Sequence, residues 1–430
     1  MAQEENHKKH ASFVADHRMA IHRSKMKTIQ VIKFIVAAML AAFVLVPPGF
    51  SQPAPNLGTN AAAPGDRTAR RNEGGVPRVE PVEVSADHHV TFRFRSAKAQ
   101  AVRVNANDIP NFGNVVLTKG ANEIWEATIG PVDPGEYRYV FMVDGQAVNP
   151  PRNPATPETA TTSESNGNTW DLFYVPGLDF MDARNVPHGA IETVTYFSKA
   201  LDRNRRMHVY LPPGYERGSK KYPILYLLHG AGDSDDAWST VGRAGFILDN
   251  LIAANQARPM VVVMPAGHTS AGFGAGRGAA GAAPRDEFKE DFLGDIMPYA
   301  ESHYRVYTDQ KHRAIAGLSM GGGQTLEAAF TTGNQFAYIG VFSSGAGLGG
   351  GGANWETAHQ AVLDNPKLKR GIKLIWFSTG QDDRLITRSL ATVDLLKKHG
   401  FDPQFTQSPG AHTWINWRNY LNIFLPQLFE

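Results

Sequence analysis

The sequence predicts two parts of different fold class. A mostly parallel α/β sheet covered on both faces by helices spans 189–430, and a small all-β sandwich over 77–176 precedes it. Three observations predict this. From Gly189 onward, continuous apolar runs such as Ile224-Leu225-Tyr226-Leu227-Leu228 alternate with helix-length stretches, as strands buried on both faces require. Before that, runs such as His89-Val90-Thr91-Phe92-Arg93-Phe94 alternate residue by residue, the period of half-buried strands. Finally, Ala314-Ile315-Ala316 leads into Gly317-Leu318-Ser319-Met320-Gly321-Gly322 and then a helix-forming stretch, Gln324 to Phe330. A strand, a Gly-x-Ser-x-Gly turn and a helix in that order make a nucleophile elbow.

The first 51 residues differ from the rest of the 430-residue chain. Met26-Lys27 and Lys33 precede the apolar run Phe34 to Val46, and Pro47-Pro48-Gly49-Phe50-Ser51 follows it. A basic start, a short apolar centre and small residues beyond it describe a secretory signal over about 26–51. The run is shorter than the ~20 apolar residues a bilayer span needs, so no stable membrane anchor is expected after cleavage. The polar, His-rich residues 1–25 fit neither a signal nor a fold, and Met26 is the expected true start. Residues 1–51 hold seven of the 43 Lys/Arg and three of the 41 Asp/Glu, so the remainder carries 36 bases against 38 acids, a net of −2. That balance offers no basic patch for nucleic acid. The chain contains no cysteine, which excludes disulfides, thiolate metal sites and a cysteine nucleophile. No metal or other cofactor is expected.

Residues 52–76, rich in Pro, Ala, Gly and Asn, read as a disordered linker. Alternating runs then recur at His89–Phe94, Ala101–Val104, Glu123–Ile129 and Tyr137–Val143, the last closed by the hairpin turn Asp144-Gly145. Strands at this spacing indicate a sandwich, and the segment resembles the early-set, immunoglobulin-like domains that precede many glycan-active enzymes and esterases. Trp125, Tyr137, Tyr139 and Trp170 are either stacking platforms for sugar or core residues, and the core reading is preferred. Pro150 to Asn168 is expected to be a connector.

In the second part, Ile191–Phe197 and Met207–Leu211 open as an antiparallel pair. Strands follow at 224–228, 260–264, 314–316, 339–342, 374–377 and 404–407. Helices are expected near 246–254, 288–304, 324–330, 355–363, 385–398 and 414–425. In such sheets ligands bind beyond the carboxyl ends of the strands, where every chemically suggestive group falls. The elbow lifts the Ser319 hydroxyl above the sheet edge and leaves the Met320 N–H free at a helix N-terminus, where it can stabilise an oxyanion. His229-Gly230-Ala231-Gly232 follows Leu228; its glycines let the Ala231 N–H face the serine as a second donor, and His229 belongs to the turn. Gly380-Gln381-Asp382-Asp383 offers two aspartates, either of which could orient an imidazole. His412, in Pro409-Gly410-Ala411-His412-Thr413-Trp414, completes the order Ser, Asp, His.

Residues 189–430 resemble the esterase D-like branch of the α/β-hydrolases, which contains feruloyl esterases, acetyl xylan esterases and enterochelin-type siderophore esterases. The resemblance is carried by Leu227-Leu228-His229-Gly230 with Trp238, and by Asp249-Asn250-Leu251-Ile252-Ala253. Pro259–Pro265 with Gly267-His268-Thr269, Gly317–Gly322, Gly380–Asp383, and His412-Thr413-Trp414 with Trp417-Arg418 carry the rest. It implies a catalytic Ser319, Asp383 and His412, with Asp382 the alternative acid, and hydrolysis of an ester through an acyl-enzyme. His268 and Trp414 are candidates for substrate contact. Ala266 stands where the family commonly has a polar residue, and Ser270 to Pro284 is expected to border the acyl pocket. The implied substrate is a small ester or esterified glycan, a feruloyl ester first, with acetyl xylan and siderophore esters as alternatives. A mycolyl-type acyltransferase, a serine peptidase and an idle carbohydrate-binding protein on the same fold complete the readings.

Overall fold

The structure, a computed structural model, describes residues 79–149, 160–163, 167, 169–269, 286–348 and 354–430. The expected signal, linker and acyl-pocket loop therefore lie outside the described residues. In the first part, alternation produces two antiparallel sheets. β1 (Val82–Val84), β2 (Val90–Arg95), β3 (Val102–Asn105), β4 (Asn114–Val116), β5 (Thr118–Lys119) and β6 (Ile124–Ile129) are followed by β7 (Gly135–Val143), β8 (Gln146–Val148), β9 (Ala160–Thr162) and β10 (Thr169–Val175). One sheet runs β1-β2-β6-β5; the other runs β4-β3-β7-β10-β9, with β8 paired to β7. Asp144 and Gly145 both take positive φ, 48° and 85°, which a two-residue hairpin turn requires to match strand twist.

The inward residues, among them Phe92, Val104, Tyr137, Tyr139, Phe141 and Phe173, form one core between the sheets. Trp125, Tyr137 and Tyr139 are buried in it, while Trp170 is partly covered. The first three are packing residues rather than sugar platforms. The connector expected over 150–168 contributes a strand, β9, at the edge of the second sheet.

In the second part, β11 (Ala190–Ser198) and β12 (Arg203–Leu211) pair antiparallel. β13 (Ile224–Leu228), β14 (Val261–Pro265), β15 (Arg313–Leu318), β16 (Tyr338–Phe342), β17 (Leu374–Gly380) and β18 (Pro403–Ser408) complete an eight-stranded sheet. Its order is β11-β12-β14-β13-β15-β16-β17-β18. β12 meets β14 antiparallel, and the remaining neighbours are parallel. The chain reverses its direction of travel across the sheet at β13, which lies between β14 and β15. Such a switch point opens a crevice at the carboxyl ends of the two strands beside it.

The central strands β13 to β17 are buried along their whole length, and each face of the sheet has its own apolar core. The described helices are α1 (Ala244–Ala253), α2 (Glu287–Asp291), α3 (Met297–His303), α4 (Met320–Thr332), α5 (Trp355–Leu363), α6 (Pro366–Gly371), α7 (Ile386–Lys398) and α8 (Trp414–Phe424). Where one helix is expected over 288–304, a π-helical turn, Phe292–Ile296, separates α2 from α3. It places Asp291 and Asp295 inward: Tyr196 donates to Asp291 at 2.8 Å and the Ala200 N–H to Asp295 at 2.9 Å. The sandwich packs directly on this part. Glu136 of β7 pairs with Arg243 at 2.7 Å, both buried, and Arg418 of α8 donates to the carbonyls of Glu136 and Val241, each at 2.9 Å.

Candidate active site

β15 ends in the elbow. Ser319 takes φ 51°, ψ −114°, a conformation that costs a non-glycine residue about 1–3 kcal/mol and persists only where its surroundings enforce it. Glycines make the turn possible. A Cβ at Gly317 would lie 2.4 Å from the Gly321 carbonyl carbon, and one at Gly321 would lie 2.6 Å from the His229 carbonyl oxygen. Both obstructions are backbone, which cannot step aside. The turn is then tied on three sides: the Ser319 N–H donates to Phe342, the Gly321 N–H to His229, and the Ser344 hydroxyl to the Ser319 carbonyl at 2.6 Å.

Three loops bring side chains to the serine. His412, just before α8, has its Nε2 2.9 Å from Ser319 Oγ and its Nδ1 2.9 and 3.0 Å from the two oxygens of Asp383. A carboxylate can only accept, so the ring proton sits on Nδ1 and Nε2 faces the hydroxyl as an acceptor. Asp383, and not its exposed neighbour Asp382, occupies the orienting position. Burial would raise the Asp383 carboxyl, but the imidazole and the Leu385 N–H outweigh it and hold the group below its ordinary range. The His412 ring stands edge-on to Trp417 at 5.0 Å, and the Trp417 indole N–H donates to Ser343 at 3.0 Å.

The third loop follows β13. A Cβ at Gly230 would come 3.6 Å from Ser319 Cβ, so the His229–Asp233 segment lies against the serine. His229 is fully buried; its Nδ1 donates to the Gly230 carbonyl at 2.8 Å and its Nε2 accepts from the Gly267 N–H at 2.8 Å. Both ring nitrogens are thereby committed to the turn. Among the described residues, the N–H groups of Met320 and Ala231 have no acceptor, while the N–H groups of Ser319, Gly321, Gly322 and Gly323 all do. Two free donors beside a hydroxyl poised on an imidazole suit a developing oxyanion.

The two candidate substrate contacts separate. His268 is partly exposed, close to His229 with ring centroids 5.5 Å apart, and burial followed by the His229 field push its imidazole down to about 4. It is neutral at neutral pH. Trp414 is 1% exposed and packs edge-on against Trp238 and Trp417, so it is a wall behind His412 and offers no face to a ligand. Among the described residues, no group of three or more His, Asp or Glu is placed to hold a metal.

Sequence reasoning missed Asp233, Ser344 and Arg138. Ser344 and Asp233 each stand one or two residues beyond a strand-end turn, a position that invites a bond back to the turn. Arg138 gives no signal in the sequence, because it arrives from the sandwich.

Known proteins resemble this arrangement. The family model described as "Putative esterase" matches residues 198–428. An endo-1,4-beta-xylanase/feruloyl esterase of Xylanibacter ruminicola is 30% identical over 371 residues, covering 84% of this chain and 47% of that protein. The chain thus spans about half the length of that curated relative. Two solved structures share the fold. A Ser-to-Ala mutant of the feruloyl esterase module from Clostridium thermocellum, complexed with sinapinate, has a TM-score of 0.50 at 23% identity, covering 64% of this chain and 95% of that one. The enterobactin esterase from Shigella flexneri, in the presence of enterobactin, has a TM-score of 0.54 at 16% identity, covering 79% and 92%. Both likenesses are of fold.

Proposed function

This chain belongs to the esterase family matched over residues 198–428, and on that footing we propose that it is an exported serine carboxylic-ester hydrolase. Its first substrate is a feruloyl-type ester on plant cell-wall glycan. The observation that carries the reading is the unbroken path from Asp383 through His412 to Ser319, every link at 2.9–3.0 Å, on a serine held at positive φ. The feruloyl choice draws on the name of the Xylanibacter ruminicola relative, whose likeness extends over both parts of this chain. Export draws on the signal-like segment at 26–51. Among the described residues, no helix is long and apolar enough to cross a membrane.

The reaction proceeds in two halves. The Ser319 oxygen attacks the ester carbonyl as its proton passes to His412 Nε2, and the carbonyl π electrons move onto oxygen. The N–H groups of Met320 and Ala231 receive that oxyanion, while Asp383 holds the imidazolium in register. The C–O bond to the alcohol breaks as His412 returns the proton to the leaving oxygen, which leaves an acyl group on Ser319. Water then attacks by the same route and the free acid departs. No step requires a metal or organic cofactor.

Release of ferulate from methyl ferulate, measured beside acetate release from acetylated xylan for wild type and Ser319→Ala, tests this. Ferulate release that falls ~10³-fold or more in the variant supports the whole reading. Acetate release alone keeps the mechanism and moves the substrate to acetyl xylan. Inactivity on both, with small chromogenic esters still cleaved, sets the cell-wall substrate aside.

A further inference from the structure

The loop carrying the Ala231 N–H is held from the sandwich. Asp233, 4% exposed, uses its carboxylate as a junction. Oδ2 accepts from the Gly230 N–H at 3.2 Å, and Oδ1 accepts from the Trp414 indole at 3.4 Å and from Arg138 Nη1 at 2.8 Å. The Asp233 N–H closes the turn onto the Gly230 carbonyl at 3.2 Å. Arg138 lies on β7, and a second carboxylate fixes it: Asp108 accepts from Nε at 2.6 Å and from Nη2 at 2.8 Å. A bidentate pair sets the plane of the guanidinium, so its remaining nitrogen presents to Asp233 in one direction. One carboxylate therefore binds the His229–Gly230 peptide, the helix start two residues after His412, and the sandwich, while the Asp233 N–H holds the Gly230–Ala231 peptide by its carbonyl.

We infer that Arg138 is a positioning residue for catalysis: through Asp233 it fixes the direction of the Ala231 N–H, so that the sandwich completes the oxyanion site. The inference rests on the serine-hydrolase reading above. An unpaired carboxylate that is nearly excluded from water is unfavourable. Without Arg138, Asp233 turns toward solvent, which draws its carboxylate off the Gly230 N–H and its own N–H off the Gly230 carbonyl, so that the Gly230–Ala231 peptide keeps only the His229 Nδ1 bond and is less firmly oriented. A donor that must reorient during the reaction stabilises the transition state less and leaves ground-state binding alone. The sandwich keeps its other attachments. Arg243 and Arg418 still hold Glu136, and Thr161 and Thr162 still donate to Asp236 at 2.7 and 2.8 Å.

The test uses the full chain with Arg138→Met, Arg138→Lys, Asp233→Asn and, as a remote sandwich control, Arg93→Ala. Arg93 pairs with Glu83 and Glu126, away from this loop. kcat and KM are measured on methyl ferulate or, if that is not cleaved, on a chromogenic acetate, with the active fraction counted by a fluorophosphonate burst. Removing one oxyanion donor outright costs about 10²–10³ in kcat. A donor left present but unfixed is expected to cost about 10–100-fold in Arg138→Met, with KM within about twofold and the active fraction unchanged. Asp233→Asn should fall in the same range and Arg93→Ala should match wild type. Arg138→Lys, which can neutralise Asp233 without the planar fork, should recover part of the loss. Wild-type kcat in Arg138→Met, or a loss that tracks the active fraction, overturns the inference. A wild type that neither labels nor cleaves any ester overturns the hydrolase reading itself, and this inference with it.

Discussion

Two strand-end loops, one after β15 and one after β13, meet at Ser319 and are built in opposite ways. The β15 loop is made by its own sequence. Gly317 and Gly321 allow a backbone approach that any side chain would block, and three bonds to flanking strands and turns close it. The β13 loop closes partly on itself, through His229 and Asp233 onto Gly230, and partly on distant segments. His229 ties it to Gly267, Trp238 donates to Leu228 at 3.1 Å, and Asp233 and Asp236 reach out to Arg138, Thr161 and Thr162. The Ser319 turn is thus closed by its own glycines and the adjoining strand ends, and the Ala231 loop also from the sandwich. The difference teaches that the sandwich belongs to the site's mechanical frame, even though no described side chain of it touches the serine.

Changes inside the locally built half should have the largest effects. Ser319→Ala should lower kcat by ~10³-fold or more, and Asp383→Asn by about 10³–10⁴, since an amide no longer selects the required tautomer. Asp382→Asn should stay within a few-fold of wild type, because Asp382 is exposed and not on His412. Steady-state kinetics on one ester separates the three, and equal losses in both aspartate variants would break the assignment. Next comes Gly317→Ala, whose Cβ meets the backbone of Gly321 at 2.4 Å. It should cost roughly 3 kcal/mol of stability in urea unfolding.

The remotely built half should respond more gently. Thr162→Val removes a hydroxyl that donates to Asp236 and should cost about 1 kcal/mol by the same measurement. Acid acts on the same half. The folded His268 imidazole sits near 4 against an ordinary 6.5, so the unfolded chain takes up this proton first as pH falls. Its contribution to stability is complete above about pH 6.5 and is lost as pH drops through about 4. His268→Gln should flatten that part of the unfolding midpoint's pH dependence. An unchanged pH profile would show that the imidazole is not desolvated.

The same contrast explains what was legible in the sequence. The elbow, the alternation of strands and helices, and the order of Ser319, an aspartate at 382 or 383, and His412 were readable because each is marked by its own stretch of chain. Strands β4, β5, β8 and β9 have two or three residues each, too few for alternation to register. Trp414 begins a helix, and its position beside His412 carried no sign of whether the ring turns outward or, as it does, inward onto Trp238. Arg138 and Asp233 are 95 residues apart; nothing in either local sequence points to the other. The choice between Asp382 and Asp383 rested on resemblance, and the physical basis is the turn itself. The Asp383 N–H folds back onto the Gly380 carbonyl and the Asp382 N–H onto Gly410, which sends one side chain to His412 and the other to water.

The most direct test of a Ser319 activated by His412 is covalent labelling of the whole chain with a fluorophosphonate, followed by intact-mass and peptide mapping for wild type, Ser319→Ala and His412→Ala. One adduct per chain on Ser319, absent from the first variant and formed at least about a hundredfold more slowly in the second, is the expected result. An adduct on another residue, or labelling of Ser319 at the same rate without His412, would contradict the account.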